Sequence, residues 1–303
     1  MSELLLPGVM AVGTFDGVHA GHRHLLSSLK AYALAHTLRP VAVTFSHHPL
    51  RVIAPDKKLR LLSDDDKRIS MLKHAADEVI VLDFDESMLR TPAEDFLRML
   101  RDRYGMAAFF TGHDTVLGHD RLSGERLAEV CRRLGVVYVD EADCLLSPDD
   151  GAQVSSSYIR SLIAHGDVAG ASFLLGYDYS VSGTVVHGNH IGTGIGFPTA
   201  NIVPPADILT PGGGVYAAYI FTPDGIRRPA VVNIGTRPTV TSDENMTIEA
   251  HLPDYNGNLY GLQLTVTFVA RLRSECKFAS LSALKFQLAK DVEQAKSLLV
   301  GRQ

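Results

Sequence analysis

Short apolar runs alternate with longer segments of helical spacing through the first half of the chain. Val9-Met10-Ala11-Val12 reads as a strand and leads into a helix-like run carrying Leu25, Leu26, Leu29 and Leu34. Val41-Ala42-Val43-Thr44-Phe45 predicts a second strand, 64–75 a helix with Ile69 and Leu72 inward, and 78–84 a third strand. Thr91-Pro92-Ala93-Glu94 has the form of a helix start. Thr91 would be the cap, Pro92 the first helical residue and Glu94 the reciprocal partner of the cap. Phe96, Leu97 and Leu100 continue that helix. A fourth strand is predicted over 107–110, a helix over 123–134 and a fifth strand over 136–139. Alternation of this kind implies a mostly parallel sheet with helices on both faces and ligands at the carboxyl ends of its strands.

Residues 155–175 read as helical, and after Gly176 the rhythm changes. Short alternating or apolar runs at 181–186, 215–221, 230–233, 247–252 and 262–268 are separated by Gly, Pro, Asp and Asn, the pattern of an antiparallel barrel or sandwich. A last helix over 280–300 carries a stripe of Leu281, Leu284, Leu288, Val292, Ala295 and Leu299, which would pack on those strands. Two domains follow, 1–175 and 176–303, with the boundary placed on the change of rhythm.

Composition narrows the class. A chain of 303 residues, 46% hydrophobic, is long enough for two cores, and a net charge of −5 gives no sign of a nucleic-acid surface. Three dispersed cysteines, Cys131, Cys144 and Cys276, offer neither zinc spacing nor a disulfide framework. The first residues lack a basic stretch and a long apolar run, and no segment has transmembrane length. The expectation is a cytoplasmic enzyme acting on small molecules, without nucleic-acid or membrane partners. Oligomeric state is left open.

The densest chemistry lies in Gly13-Thr14-Phe15-Asp16-Gly17-Val18-His19-Ala20-Gly21-His22, where the first strand turns into the first helix. Small residues at such a turn let backbone N–H groups approach an anion, and the helix start favours negative charge. His19 and His22, three apart, lie on one side of the first helical turn and can donate to phosphate oxygens. This suits nucleotidyl transfer. A second candidate anion site is Ser155-Ser156-Ser157-Tyr158-Ile159-Arg160, hydroxyls at a helix start followed by a guanidinium. Taken alone, it reads more readily as an ordinary serine cap with a surface arginine. Gly188 to Asn201 is glycine-rich, but no strand–helix unit surrounds it, which argues against a dinucleotide loop.

The ordered His-x-Gly-His turn resembles the phosphate-binding motif of the HxGH nucleotidyltransferase superfamily. Its wording is most similar to the FAD synthetase branch, the prokaryotic bifunctional riboflavin kinase/FMN adenylyltransferases. That resemblance implies a Rossmann-like nucleotidyltransferase domain followed by an antiparallel β-barrel closed by a terminal helix. In the first domain it implies ATP contacts from Gly13, Phe15, Asp16, Gly17, His19, His22, Ser156, Ser157 and Arg160, with the two histidines catalytic. His48, in Thr44-Phe45-Ser46-His47-His48-Pro49, and Asp114 would belong to the flavin side. Where the family has Gly-x-Asp-Phe-x-Phe-Gly, this chain has Thr115 and Leu117 in place of both aromatics. Weaker flavin binding at the adenylyl site is the expectation, since flat rings pack best on aromatic partners.

In the second half, Gly196-Phe197-Pro198-Thr199-Ala200-Asn201 resembles the riboflavin kinase signature. Gly188, Gly196, Pro198, Thr199 and Asn201 would hold ATP there, with Thr199 and Asn201 as oxygen ligands of Mg²⁺. Thr193 stands where the family commonly has Arg. Segments around Gly214, Asn233, Glu249, Asn256 and Arg273 follow in family order. Glu249 would be the kinase base, and Arg273 and Glu275 would face flavin. The implied function is phosphorylation of riboflavin to FMN and adenylylation of FMN to FAD, with ATP as co-substrate and Mg²⁺ as cofactor. The alternatives are a kinase with a weakened adenylyltransferase, or a non-catalytic flavin- or nucleotide-binding regulator.

Overall fold

Five parallel strands, β1 (Gly8–Val12), β2 (Arg39–Phe45), β3 (Glu78–Leu82), β4 (Met106–Thr111) and β5 (Val137–Asp140), form one sheet in the order β3-β2-β1-β4-β5. The computed structural model describes residues 6–112, 114–141, 143–188, 194, 196–237, 245–253 and 255–300. Thr193, Pro238, Thr239 and Asp254 of the motif segments lie outside them.

The period-2 alternation of the strands sorts their side chains between two cores. Val9, Ala11, Ala42, Ala108 and Phe110 pack against Leu26, Leu29 and Ala33 of α1 (Ala20–His36) and Leu72 of α3 (Asp65–Ala75). Between these helices lies the short α2 (Leu50–Ile53). Met10, Val41, Val43 and Phe109 point the other way. They meet Phe96, Leu97 and Leu100 of α5 (Ala93–Tyr104) and Leu127, Val130 and Cys131 of α6 (Gly124–Arg133). The one-turn α4 (Glu86–Leu89) precedes α5. The chain builds outward from β1 through β2 to β3, then returns to β4 on the other side. The reversal leaves the crevice for ligands at the carboxyl end of β1.

The start of α5 departs from the sequence expectation. Its cap is Pro92, which makes no side-chain cap bond, and the Thr91 hydroxyl instead donates to the Ser87 carbonyl (2.9 Å). The orphan N–H of Ala93 donates to Asp120 Oδ1 (2.9 Å), a distant carboxylate that a local capping pattern does not reveal.

Residues 155–175 form two helices, α7 (Ser156–Ala164) and α8 (Val168–Leu175). They separate because the Asp167 side chain accepts from the Gly170 N–H (2.9 Å) and caps a new helix. Packing groups the chain into two compact units, Met1–Ser156 and Ser157–Gln303, so both helices fall mainly with the second. There the Gly212 N–H donates to the Ile163 carbonyl (3.0 Å), and the Tyr179 N–H to Ser172 Oγ (3.0 Å).

The second unit is a closed barrel among the described residues, with strand order β10-β7-β6-β11-β8-β9. Its members are β6 (Ser180–Val186), β7 (Ala200–Val203), β8 (Gly214–Phe221), β9 (Arg227–Arg237), β10 (Asn245–His251) and β11 (Gln263–Arg273). Closure removes sheet edges, which settles barrel over sandwich. β7 is the strand the sequence pattern missed, because it is short and emerges directly from the Gly-Phe-Pro loop. The final helix α9 (Leu281–Leu299) buries Ala295 and Leu299 against Val215, Ala217, Tyr219, Val231 and Val269. Burial along its predicted stripe grows toward the carboxyl end: Leu281 is 64% exposed, Leu284, Leu288 and Val292 are half-buried, and Ala295 and Leu299 are buried.

Candidate active sites

In the first unit the site is built from the turn after β1. The chain leaves the sheet at Gly13, whose N–H still donates to the Val43 carbonyl (3.0 Å). Phe15 and Val18 then take left-handed backbone angles, with φ of 50° and 37°, unusual for side chains of their size and typical of strained functional turns. Asp16 is buried. Its carboxylate accepts the Leu62 N–H at both oxygens (3.0 and 3.1 Å), so it fastens the turn to the segment before α3. The Asp16 carbonyl accepts from Ser156 Oγ (3.0 Å), which ties the first residue of α7 to the same turn.

His19 caps α1 with its imidazole, Nδ1 accepting the His22 N–H (3.3 Å). That bond puts the proton of neutral His19 on Nε2, a donor suited to a phosphate oxygen. The two imidazoles stack, with centroids 3.6 Å apart and planes 20° from parallel, and the Phe15 ring meets His22 edge-on at 5.2 Å. The intervening Gly21 is required by close approach: a Cβ there would lie 2.8 Å from the Val154 carbonyl oxygen and 3.2 Å from the His19 ring. His22 Nδ1 is buried without a hydrogen-bond partner among the described atoms. Burial first, then the neighbouring His19 and Arg23 charges, hold the His22 imidazole well below its ordinary pKa. The site therefore presents a neutral, unsatisfied imidazole.

At the carboxyl end of β2, His48 is nearly buried, and its Nδ1 accepts the Leu50 N–H (3.2 Å). Asp114 is exposed in the loop after β4. The two aromatic-to-aliphatic departures differ in kind. Thr115 Oγ1 accepts the Gly112 N–H (3.1 Å) within that loop. Leu117 is a core residue, 8% exposed, packed with the cluster of α5 and α6. An aromatic at 117 would face protein, so the argument for weakened flavin packing narrows to Thr115. Ser157 and Arg160 sit three apart on α7, the first exposed and the second half-buried.

In the barrel, register brings Glu249 of β10 opposite Asn201 of β7 and Asn233 of β9. The three form one row across adjacent strands, on the face opposite the fully buried Ile248 and Ala250. Asn233 was not singled out as a site residue, because register across strands is invisible in the sequence. Its Nδ2 donates to Glu275 Oε1 (3.4 Å), linking the row to the loop after β11. A cavity of about 370 Å³ in the same unit is lined by Gly196, Phe197, Pro198, His251, Tyr255, Glu293 and Lys296. His251 Nδ1 donates to the Pro198 carbonyl (2.8 Å) and holds the Gly-Phe-Pro segment on β10. Thr199 is half-buried between that segment and β7.

Arg273, expected on the flavin side, is paired with the last helix. Its Nε and Nη2 donate to the buried Asp291 of α9 (3.0, 3.2 and 2.8 Å), and Gln287 Nε2 also donates to Asp291 (2.9 Å). The Asp291 hydrogen bond first, and its charge, raise the Arg273 guanidinium above its ordinary pKa, although partial burial opposes this. Removing Asp291 leaves that charge without its buried partner. Asp291→Ala is expected to lower the unfolding free energy by about 3 kcal/mol, read from the urea midpoint of the full chain.

One chain thus holds an α/β unit with two stacked imidazoles at the turn after its central strand, and a barrel with a polar row of Asn201, Glu249 and Asn233. That combination defines a two-site, nucleotide-handling protein. The FAD synthetase family model matches residues 2–158, and the riboflavin kinase family model matches residues 175–299. The bifunctional riboflavin kinase/FMN adenylyltransferase of Escherichia coli K12 is 35% identical over 286 residues, covering 93% of this chain and 90% of that protein. The Bacillus subtilis protein of the same description is 32% identical, covering 95% of this chain and 91% of that protein. A crystal structure described as a macrolide-efflux protein from Streptococcus pneumoniae superposes with a TM-score of 0.82 at 27% identity, covering 96% of this chain and 94% of that one. Among the described residues no helix is long and apolar enough to cross a membrane. The chain belongs to the bifunctional riboflavin kinase/FMN adenylyltransferase family.

Proposed function

We propose that the barrel phosphorylates riboflavin to FMN with ATP, and that the α/β unit transfers AMP from a second ATP to FMN, giving FAD and pyrophosphate. The observation that carries the reading is the stacked His19–His22 pair, with its unpartnered buried nitrogen, at the carboxyl end of the central strand. In adenylyl transfer the FMN phosphate attacks the α-phosphate. The protein's part is to orient the two reactants and offset charge on the phosphate oxygens. His19 Nε2–H and His22 would donate to those oxygens. N–H groups of the turn between Gly13 and Gly17 would line the triphosphate, with Gly13, held by its bond to Val43, and Phe15 and Asp16 fixing the turn's shape. The family resemblance assigns ATP contacts to Ser156, Ser157 and Arg160 as well. His48 and Asp114 would face flavin.

In the barrel, Glu249 would accept the proton of the riboflavin hydroxyl as its oxygen attacks the γ-phosphate. Asn201 and Thr199 beside it supply neutral oxygen donors. Among the described residues no cluster of three His, Cys, Asp or Glu could hold a metal alone, which suits Mg²⁺ arriving with ATP. Gly188 leaves space at this point, since a Cβ there would lie 2.1 Å from Asn201 Nδ2. Bound Mg²⁺ would neutralise phosphate charge. Gly188, Gly196 and Pro198 would border the ATP. Glu275 would face flavin, with Arg273 holding its loop against α9. ATP use and three unpaired cysteines suit a cytoplasmic location.

Incubation with riboflavin and MgATP, with FMN and FAD separated by chromatography, tests the assignment. Both products are expected in sequence. FMN alone would favour the single-activity kinase, and neither product a binding role.

The domain assignment, 1–175 and 176–303, is testable on fragments. Residues 157–303 retain α8 and all of α7 but Ser156, and Ile159, Ile163, Val168, Ala171 and Leu175 of these helices are fully buried. That fragment is expected to melt about 10 °C above 176–303, since each kcal/mol moves Tm by several degrees at this size. Equal melting temperatures would place both helices outside the barrel's folding unit.

A further inference from the structure

Arg68, on the first turn of α3, is 2% exposed and carries no assigned role. Its guanidinium fans across the carboxyl ends of two strands. Nη1 donates to the Thr14 carbonyl (3.2 Å) and to Thr44 Oγ1 (2.8 Å). Nη2 donates to the carbonyls of Phe45 (2.7 Å) and Ser46 (3.4 Å), and to Asp65 Oδ1 (3.0 Å). Thr14 belongs to the turn that carries His19 and His22, and Phe45 and Ser46 lead into the loop that carries His48. Asp65 extends the brace. It accepts from His47 Nδ1 (2.9 Å) in that same loop and from Arg51 (3.5 Å) on the short α2 that follows. Burial works against the Asp65 charge, but hydrogen bonds from His47 and Arg68 and the nearby guanidinium charges outweigh it and hold the carboxyl below its usual range.

These carbonyls lie where the parallel ladder ends, so their sheet partners have run out. A planar guanidinium with five donors satisfies them together. An ammonium, a compact point of charge, cannot span the same fan. We infer that Arg68 is a positioning residue for adenylyl transfer. It fixes the separation between the phosphate-binding turn after β1 and the flavin-side loop after β2, and so the alignment of the two reacting phosphates. The inference rests on the adenylyltransferase reading of that site.

The test uses the full chain, in which the barrel reaction serves as an internal control. Arg68→Lys and Arg68→Met are assayed for FAD formation from FMN and ATP, and for FMN formation from riboflavin and ATP. FAD formation is expected to fall about 10- to 100-fold, mainly in kcat rather than in KM for ATP, as an ångström of misplacement costs in a positioned reaction. Riboflavin phosphorylation is expected to stay within about twofold. Arg68→Lys carries the test alone if Arg68→Met does not fold. FAD formation within about threefold of the parent, a loss confined to KM, or an equal fall in both reactions would overturn the role. An unsubstituted chain that makes no FAD from FMN would overturn the site reading itself, which separates the two failures.

Discussion

His22→Ala is expected to reduce FAD formation from FMN and ATP by about 10²- to 10³-fold, the usual effect of deleting one donor to developing charge. Riboflavin phosphorylation should stay within about twofold. The physical basis is the state of the side chain before substrate enters. His22 Nδ1 is buried without a partner, its ring is stacked on His19, and Phe15 closes its edge. Such a group is held ready without first breaking a protein hydrogen bond. Its depressed pKa carries a stability signature of definite sign. Below the ordinary value of 6.5 the unfolded chain binds a proton that the native chain refuses. Stability present above pH 6.5 is therefore lost as pH falls towards the depressed native value. His22→Ala should lose less over that interval. Thermal melts at a series of pH values, run beside the two activity assays, check both halves. Loss of both activities in a folded variant would contradict two separate sites.

The parallel sheet, the barrel and the terminal helix were legible because each rests on periodicity, which burial of one face imposes directly. Val9 and Met10 alternate between the two cores as the pattern predicts. Long-range hydrogen bonds escaped. Asp120 satisfies the start of α5 from 27 residues away, and no local capping pattern encodes that. The site divides in the same way. His19, Gly21 and His22 are adjacent in sequence and their geometry follows from one helical turn. Arg68 reaches Thr14 across 54 residues, and Asn233 meets Glu249 only through barrel register, so neither carries a sequence signal of its own role. Leu117 shows the opposite error: a motif position resembling a ligand contact is a core residue here. Arg273 joins Asp291 of α9 across 18 residues, a pairing that no local pattern encodes.

Glu249→Gln is expected to reduce riboflavin phosphorylation by about 10²- to 10⁴-fold, the range for loss of a positioned general base, with FAD formation from supplied FMN unchanged within about twofold. Glutamine keeps the shape and the cross-strand fit to Asn201 and Asn233, and removes the proton acceptor. The fall should therefore appear in kcat, with KM for ATP changed little. A purely structural role for Glu249 predicts a different outcome. Its neighbours Ile248 and Ala250 are fully buried, so structural damage would open β10 and lower the melting temperature along with activity. A folded Glu249→Gln chain that phosphorylates riboflavin at the parent rate would remove Glu249 from the chemistry. The row would then be left with Asn201 and Asn233, and the carboxylate joined to it is Glu275, in the loop after β11, which accepts from Asn233 Nδ2. Glu275→Gln would become the next variant to assay, and its effect would decide whether the base stands on the strand or on the loop.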